Sequence, residues 1–333
     1  MSKKTVLSLL MSGTLALSAT ASFASEQIRI VGSSTVYPFT TVVAESFGRN
    51  TNFKTPIVES TGTGGGMKIF CSAKGKGTVD FTNASRRIKE QELKKCAENG
   101  ITVTEFIVGI DGIVLANSNK AKAMNITVPQ LYLALAKMVK INGKMVENPY
   151  NKWSDIDSSL PNTKIEVMGP PSSSGTRDAL VSLVMKTGAK SFGVKEKKYY
   201  KVLREDGAFV EAGENDNLIV RKLSANSNSF GIFGYSFLDE NRSILNASKI
   251  NGVEAEYETI ANFEYPVARY LFVYVKRENV KTTPGMQEFI KEYTSADALG
   301  EDGYLSERGL IAMPLKKRNQ VINDVRSLKK ITK

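Results

Sequence analysis

The sequence predicts an α/β fold with mainly parallel sheets, because short segments of strand periodicity alternate with segments of helical periodicity along the chain. Three of the predicted strands end in turns rich in serine, threonine and glycine, and each of these turns leads directly into a predicted helix. The length of 333 residues favours two lobes, since single cores seldom grow beyond about 250 residues.

The first two of these turns lie in the N-terminal part of the chain. The predicted strand at residues 27–31 ends in Gly-Ser-Ser-Thr at residues 32–35, and a helix with Phe47 on its apolar face follows. The predicted strand at residues 57–60 ends in Thr-Gly-Thr-Gly-Gly-Gly at residues 61–66. Three consecutive glycines ahead of a helix cost backbone entropy, so this turn indicates that the exposed backbone itself is needed.

An acidic side chain follows the next predicted strands. The strand at residues 79–81 is followed by polar residues and a helix at residues 89–99. A strand pair is predicted at residues 103–115, broken by a Gly-Ile-Asp-Gly turn at residues 109–112. Asp111 would then lie in apolar surroundings, which makes it a candidate for a shifted pKa, although turn chemistry alone also explains an Asp-Gly pair.

The most informative turn, Ser-Ser-Ser-Gly-Thr-Arg at residues 172–177, joins a strand at residues 165–168 to an amphipathic helix at residues 178–188. A strand that turns directly into a helix aims free N–H groups and the positive end of the helix dipole at one point. Hydroxyls can add hydrogen bonds there. This arrangement favours a small oxyanion as ligand, and the alternative is an ordinary serine N-cap on a core helix.

The remaining segments continue the alternation. Residues 127–130 form a capping box that predicts a helix through Val139. A strand is predicted at residues 230–235, and a longer one at residues 265–275. Pro266 near the start of the longer strand suits an edge strand or a crossing between lobes.

Composition excludes several classes of function. The chain has no histidine, which excludes His-based catalytic triads and His metal ligands and argues against most hydrolases. The formal net charge of +11 would attract anions. The lysines are scattered instead of forming a stripe, so we expect no nucleic-acid partner, and the sequence calls for no cofactor or metal.

The N-terminus has the pattern of a cleaved secretory signal peptide at residues 1–24. Lys3 precedes an apolar run at residues 6–17, and small residues lead to a cleavage site after Ala24. The predicted mature chain is therefore a free periplasmic protein. In such a chain Cys71 and Cys96, the only cysteines, indicate either one disulfide or two buried thiols.

Several of these motifs, in this order, resemble the periplasmic phosphate-binding proteins of the high-affinity phosphate ABC transporter. Each motif alone is weak, whereas their order and spacing over nearly the whole mature chain are specific. The matching segments are residues 32–38 (GSSTVYP), 62–68 (GTGGGMK), 79–81 (VDF), 84–86 (ASR), 111–113 (DGI), 153–156 (WSDI), 174–177 (SGTR) and 265–266 (YP).

This resemblance implies a two-lobed class II periplasmic binding protein with mixed, mainly parallel sheets flanked by helices and the ligand in the cleft between the lobes. Lobe one would comprise residues 25–110 plus 266–333, and lobe two residues 111–265. The protein would be a monomer without enzymatic activity that captures inorganic phosphate and delivers it to an inner-membrane ABC permease.

The resemblance also implies which residues contact phosphate, with two departures from the family pattern. The family's acceptor aspartate is replaced by Ser85, and its arginine before the SGT motif is replaced by Pro170. We expect Asp111 to accept a hydrogen bond from protonated phosphate and Arg86 or Arg177 to supply the guanidinium. The full set of expected ligand residues is Ser34, Thr35, Thr63, Ser85, Arg86, Asp111, Ser174, Gly175, Thr176 and Arg177.

Two alternatives remain at this stage. Within the binding class, the ligand would be another oxyanion such as sulfate, molybdate, tungstate or a phosphonate. A phosphatase or hydrolase that uses Ser173 or Ser174 as nucleophile is disfavoured, because no histidine and no nearby Ser-x-x-Lys pairing is present to activate the serine.

Overall fold

The computed structural model describes residues 27–172, 174–212 and 216–331. The predicted signal peptide and Ser173 lie outside these ranges. The described strands are β1 (Arg29–Gly32), β2 (Ile57–Ser60), β3 (Phe81–Ala84), β4 (Val103–Ser118), β5 (Asn125–Ile126), β6 (Met138–Ile141), β7 (Lys144–Glu147), β8 (Val167–Gly169), β9 (Phe209–Glu211), β10 (Phe230–Gly234), β11 (Leu245–Ala247), β12 (Lys249–Ile250) and β13 (Ala268–Lys276).

Helices alternate with these strands, as predicted. A π-helical turn, Leu180–Met185, joins α6 to α7 in the following list, and a 3-10 helix, Arg277–Lys281, follows β13. In the described part of the chain, none of the helices has the length and apolar character needed to cross a membrane. The α-helices are α1 (Tyr37–Asn50), α2 (Gly62–Phe70), α3 (Glu90–Glu98), α4 (Val128–Leu135), α5 (Trp153–Ile156), α6 (Gly175–Ala179), α7 (Lys186–Ser191), α8 (Lys197–Tyr200), α9 (Asp216–Ala225), α10 (Tyr235–Glu240), α11 (Tyr257–Ala261), α12 (Met286–Tyr293), α13 (Ala296–Leu299) and α14 (Leu315–Arg326).

One mixed sheet of nine strands organises the chain, in the order β2-β1-β3-β13-β4-β10-β8-β9, with β11 paired to β4. Pairing is parallel at the two ends, where β1 lies between β2 and β3 and β8 lies between β9 and β10. Pairing is antiparallel in the centre, around the long strands β4 and β13. The predicted α/β architecture is confirmed, but the large sheet is mixed and not mainly parallel, with four parallel pairs at its ends and four antiparallel pairs in its centre. A further parallel pair, β5–β12, lies in a separate two-stranded sheet.

The predicted break at residues 109–112 is wrong, because β4 runs without interruption through all four residues. Gly109 and Gly112 pair with Leu271 and Ala268 of β13, and the ladder shifts its register just beyond Gly109, between Leu271 and Phe272. Both glycines instead make room for side chains from elsewhere, since a Cβ at Gly109 would lie 2.5 Å from the side chain of Leu310. Asp111 is therefore a strand residue, not a turn residue.

The helix predicted to run through Val139 ends at Leu135. Its start is as predicted, with the Thr127 side chain accepting a hydrogen bond from the Gln130 backbone N–H. The chain then forms the hairpin β6–β7 around Asn142 and Gly143, both of which have positive φ. An Asn-Gly pair with positive φ at both positions is the preferred two-residue hairpin turn, and it takes priority over the helix.

Buried apolar residues form two separate clusters. One cluster combines residues 28–108 with residues 271–325, and the other combines residues 110–268 with Ile311. The strands β4 and β13 pass from one cluster to the other side by side, so the chain crosses between the two cores along a pair of hydrogen-bonded strands. Beside these strands, Ile311 pairs with Ile110 in a short bridge and adds its side chain to the second cluster.

A disulfide bond joins Cys71, just after α2, to Cys96 in α3. Both sulfur atoms lie inside the first core cluster. Within the described residues no cysteine is free, and the bond ties the end of α2 to α3.

Candidate functional site

The turn between β1 and α1 is held in place by close backbone packing on β3. Gly32 has φ +134°, and a Cβ there would lie 2.2 Å from the carbonyl oxygen of Asn83, so only glycine fits. The next N–H, from Ser33, donates to that same carbonyl over 2.9 Å. The Ser33 hydroxyl accepts from the N–H of Thr35, which fixes the turn and leaves Ser34 and Thr35 half-buried at its tip.

The second and third turns meet through their hydroxyls. Thr63, in the first turn of α2, lies with its Oγ1 3.1 Å from the Oγ of Ser85, which follows β3. The Ser85 backbone N–H also donates to Thr63 Oγ1 over 3.1 Å. Close packing of Gly66 on Gly32, where a Cβ would lie 2.5 Å from the Gly32 Cα, brings this pair beside the first turn.

The fourth turn reaches the same place from the other core cluster. Ser174 caps α6, and its hydroxyl accepts from the Thr176 N–H over 3.2 Å. The following residue, Gly175, is buried directly against Thr35, since a Cβ on Gly175 would lie 1.9 Å from the Thr35 Oγ1. The SGT motif and the first hydroxyl-rich turn therefore touch across the junction of the two cores.

Arg269 of β13 links these turns. Its guanidinium donates to the carbonyl of Ser85 over 3.2 Å, to the Thr35 hydroxyl over 3.1 Å and to the carbonyl of Gly175 over 3.1 Å. Its Nε donates to the carboxylate of Asp111 over 3.1 Å. One side chain thus contacts turns from both core clusters.

Asp111 faces Arg269 because the two residues are register partners in the β4–β13 ladder. The pair is largely buried, with side-chain exposures of 17% for Asp111 and 9% for Arg269. Burial raises the pKa of Asp111 above its ordinary value, and the opposing effect of the Arg269 charge and hydrogen bond is smaller. A buried carboxylate next to the turns can accept a hydrogen bond from a protonated ligand.

The two arginines expected as guanidinium donors contact acidic side chains instead. Arg86 forms a two-pronged ion pair with Glu92, at 2.9 and 2.7 Å. Arg177 pairs with Glu211 at 3.2 Å and donates to the carbonyl of Pro170 at 2.9 Å. These bonds of Arg86 and Arg177 go to acidic side chains and a nearby carbonyl. Arg269 instead contacts three of the turns at their meeting point, around Thr35, Ser85 and Gly175.

Sequence reasoning did not single out Arg269. Its signal is present, since a charged residue stands inside the apolar run of residues 265–275 and such a residue is seldom buried without a role. What the run does not reveal is the partner, because the pairing of Arg269 with Asp111 depends on the register of two strands that are far apart in sequence.

Hydrogen bonding within the turns leaves hydroxyl protons available to a ligand. The Thr35 oxygen accepts from Arg269, the Thr63 oxygen accepts from the Ser85 N–H, and the Ser174 oxygen accepts from the Thr176 N–H. A hydroxyl with an occupied lone pair still has its own proton to donate. The hydroxyls of Thr63 and Ser85 use one of their two protons in the bond between them, so this pair keeps one for a ligand. The meeting point is therefore rich in donors, and it holds one cation balanced by one carboxylate. Such a site suits a small oxyanion that keeps a proton.

Comparisons with known proteins match the chain to one domain superfamily and to relatives that cover most of its length. Residues 17–297 match the model of the PBP superfamily domain. The chain is 32% identical over 292 residues to Protein SphX of Synechococcus elongatus, covering 86% of this chain and 77% of that protein. It is 30% identical over 302 residues to the Phosphate-binding protein PstS of Staphylococcus epidermidis, covering 89% of this chain and 81% of that protein.

A solved structure shares the whole architecture. The crystal structure of a possible phosphate binding protein from Planctomyces limnophilus superimposes with a TM-score of 0.71 at 29% sequence identity. The match covers 92% of this chain and 99% of that one. The likeness therefore includes both core clusters and the strands between them.

Proposed function

Because the chain belongs to the PBP superfamily, we propose that it is a solute-binding protein that captures inorganic phosphate and delivers it to the permease of an ABC transporter. The observation that carries the proposal is the convergence of hydroxyl-rich turns from both core clusters on Arg269. The names of the relatives, which include phosphate-binding proteins, support the choice of anion.

Phosphate would lie where the turns meet. The donors would be the hydroxyls and backbone N–H groups of Ser34, Thr35, Thr63, Ser85, Ser174, Gly175 and Thr176. Asp111 would accept a hydrogen bond from the proton that phosphate keeps at neutral pH, and sulfate has no such proton to offer. We assign the guanidinium role to Arg269 in place of Arg86 or Arg177, because its contacts reach the turns and theirs go to Glu92 and Glu211.

Arg269 would act more by holding the turns together than by direct contact. Four of its hydrogen bonds go to protein atoms, and a guanidinium has five N–H groups. One N–H therefore remains for the ligand. The positive charge stays close to the anion while the turns supply most of the donors.

We propose lobe boundaries that lie close to where the two core clusters change over, with residues 25–110 plus 266–333 in lobe one and residues 111–265 in lobe two. The crossings in β4 and β13 support this division, since the cores change over between Val108 and Ile110 and between Leu271 and Ala268. Closure of the lobes on phosphate would present one surface to the permease.

We propose further that residues 1–24 are removed on export and that the mature protein works in the periplasm as a monomer, with no nucleic-acid partner. The role is binding and not catalysis. In support, the chain has no histidine to activate a serine nucleophile. Among the described residues no cluster of acidic and cysteine side chains has the geometry of a metal site.

Isothermal titration calorimetry on residues 25–333 tests the proposal with phosphate, sulfate and molybdate. We expect saturable one-to-one binding of phosphate, with sulfate and molybdate at least tenfold weaker. Loss of the charge-assisted hydrogen bonds in Arg269→Ala is expected to weaken phosphate binding about 100-fold, equivalent to about 3 kcal/mol.

The matched control is Arg86→Ala, which also removes an arginine side chain, here from the ion pair with Glu92 outside the meeting point. It is expected to change phosphate affinity less than threefold. Preferential binding of sulfate or molybdate, or turnover of a chromogenic phosphoester, would contradict the proposal. Loss of binding in Arg86→Ala with full binding in Arg269→Ala would reject the assignment of the guanidinium.

A further inference from the structure

The two strands that cross between the cores are irregular where the cores change over. The part of β4 that belongs to the first core cluster ends at Val108. This residue has no register partner, because the adjacent residues Leu271 and Phe272 of β13 pair on either side of it. An extra residue of this kind bends a strand and increases its local twist. The crossing therefore has a bend between the two cores, and we call this point the hinge.

The end of α11 packs on the crossing strands, on the face opposite the anion site. A Cβ at Gly112 would lie 2.9 Å from the side chain of Ile260, so Ile260 covers β4 at this position. Gly112 follows Asp111 directly, and successive residues of a strand face opposite sides of a sheet. The end of α11 therefore lies behind the strand position that carries the Asp111 carboxylate.

Phe263, two residues beyond α11, places its ring against Tyr270 of β13. The ring centroids are 4.5 Å apart. Tyr270 directly follows Arg269 in the strand and is half-buried against both core clusters. A change in the angle between the two cores therefore changes the packing of Tyr270. The ring of Phe263 covers the side chain whose surroundings change when the hinge bends.

The backbone of Phe263 has a conformation that suits glycine. Its φ is +61°, which bulky residues rarely adopt and glycine adopts at no steric cost. Hydrogen bonds hold it there, since the Phe263 N–H donates to the carbonyl of Ile260 over 3.1 Å and the Tyr265 N–H to that of Thr259 over 2.9 Å. The Tyr265 hydroxyl also donates to the carbonyl of Ile113 in β4, over 3.0 Å. Strained positions that are held in this way are typical of switch regions.

The ring of Phe263 is not needed for either core. The residue is 37% exposed, so its ring adds little buried apolar surface. A phenylalanine at this position costs backbone strain that a glycine would avoid. The contact with Tyr270 is the feature that a glycine could not provide.

We propose that Phe263 is a positioning residue for phosphate binding, which acts through Tyr270 on the hinge. The ring pair is formed in the arrangement in which Gly175 of one core region touches Thr35 of the other. By stabilising this arrangement, the pair raises the fraction of protein in which the turns meet at Arg269. The inference rests on the proposed function, since it concerns the affinity of that same site.

The variant Phe263→Gly tests the proposal by calorimetric titration with phosphate and by thermal unfolding. Relief of the positive φ offsets the lost ring contact, so we expect the melting temperature to be kept. The dissociation constant for phosphate is expected to rise about fivefold, because aromatic pairs contribute on this scale. Phe263→Tyr keeps the ring and is expected to bind phosphate as the wild type does.

The matched control is Phe53→Gly. Phe53 is 36% exposed and stacks on Phe47 at 5.7 Å, in the first core region and away from the crossing strands. This variant also loses an exposed aromatic pair, and we expect unchanged phosphate affinity. Tyr270→Leu removes the other ring of the hinge pair and is expected to weaken binding as Phe263→Gly does. Combining the two hinge substitutions should cause no further loss.

Wild-type affinity in Phe263→Gly, an equal loss in Phe53→Gly, or no recovery in Phe263→Tyr would overturn the proposal. Should Phe263→Gly fail to fold, Tyr270→Leu carries the test against the same control.

Small-angle X-ray scattering separates this proposal from the proposed function. If the wild type does not bind phosphate, the proposed function fails, and the ligand-free proteins then decide the role of the hinge. Phe263→Gly is expected to have a larger radius of gyration than the wild type, and Phe53→Gly the same radius. Equal radii in all three proteins would reject the role of Phe263.

Discussion

Asp111 is the titratable side chain beside the proposed phosphate site. Its carboxylate accepts from Arg269 Nε, and burial raises its pKa. Two lone-pair positions are available on each carboxylate oxygen, so the same group can also accept from a protonated oxyanion. The charge of Asp111 therefore offsets Arg269 and also repels an anion that has no proton to share.

Asp111→Asn tests this role. The amide removes the repulsion of sulfate and replaces one acceptor oxygen by a donor, so we expect phosphate binding to weaken by tenfold or more and its preference over sulfate to shrink. Calorimetric titration with both anions provides the measurement. Unchanged affinities for both would remove Asp111 from the site.

The same residue gives a pH dependence whose sign follows from its raised pKa. Because its pKa is raised, Asp111 takes up a proton on acidification at a higher pH than an ordinary aspartate does. The protonated carboxyl can donate to sulfate, so the preference for phosphate over sulfate is expected to decrease on acidification. In Asp111→Asn the preference should lose this part of its pH dependence.

At the scale of elements, the start of α6 is shaped for contact with the first turn. Gly175 does not have a positive φ, so alanine fits its backbone conformation and improves helix propensity. The added Cβ would nevertheless lie 1.9 Å from Thr35 Oγ1. Glycine at position 175 is therefore needed for the close approach of α6 to the first turn, and not for the backbone conformation of its own turn.

We expect Gly175→Ala to keep or slightly raise the melting temperature and to weaken phosphate binding at least tenfold, because the two turns can no longer meet. The matched control is Gly65→Ala in α2, where the new Cβ lies at an ordinary 3.5 Å from the Thr61 side chain. Calorimetry and thermal unfolding on both variants provide the comparison. Wild-type affinity in Gly175→Ala would show that the turns need not touch.

The end of β13 carries a buried lysine that predicts a pH-dependent stability. Burial lowers the pKa of Lys276 to about 8, against the partial opposing effect of Asp80. Between about pH 8 and 10.5 the unfolded lysine binds more protons than the folded one, so its contribution to the unfolding free energy rises with pH. The ceiling is about 3 kcal/mol, at 1.36 kcal/mol per pKa unit.

Denaturant unfolding of the wild type and Lys276→Met at pH 8 and pH 10 measures this contribution. We expect the difference between them to shift in favour of the wild type as the pH rises. Lys316→Met, at an exposed position, is the control and should show a constant difference. A constant difference for Lys276→Met as well would mean that the lysine keeps an ordinary pKa.

Local patterns and long-range pairing explain which elements the sequence predicts. The turn at residues 32–35 and the serine cap at Ser174 were predictable because glycine and hydroxyl chemistry acts over a few neighbouring residues. The turn predicted at residues 61–66 is wrong, because α2 already begins at Gly62 and includes all of these glycines. The uninterrupted course of β4 through Asp111 was not predictable, since its pairing with β13 overrides a local turn signal. The role of Arg269 was hidden for the same reason.

At the scale of the whole molecule, two cores are joined where β4 and β13 lie side by side. Asp111 and Arg269 stand on these crossing strands, and the four turns converge on them from both cores. A ligand bound there would contact both halves at once. Binding energy would then favour the arrangement in which the halves are closed.

A crystal structure of residues 25–333 with phosphate tests this arrangement most directly. We expect one phosphate at the junction of the two cores, within hydrogen-bond distance of the hydroxyls of Thr35 and Ser174 and of the Asp111 carboxylate, with Arg269 still bridging the turns. Phosphate bound elsewhere at full occupancy, or none at millimolar concentration, would contradict it.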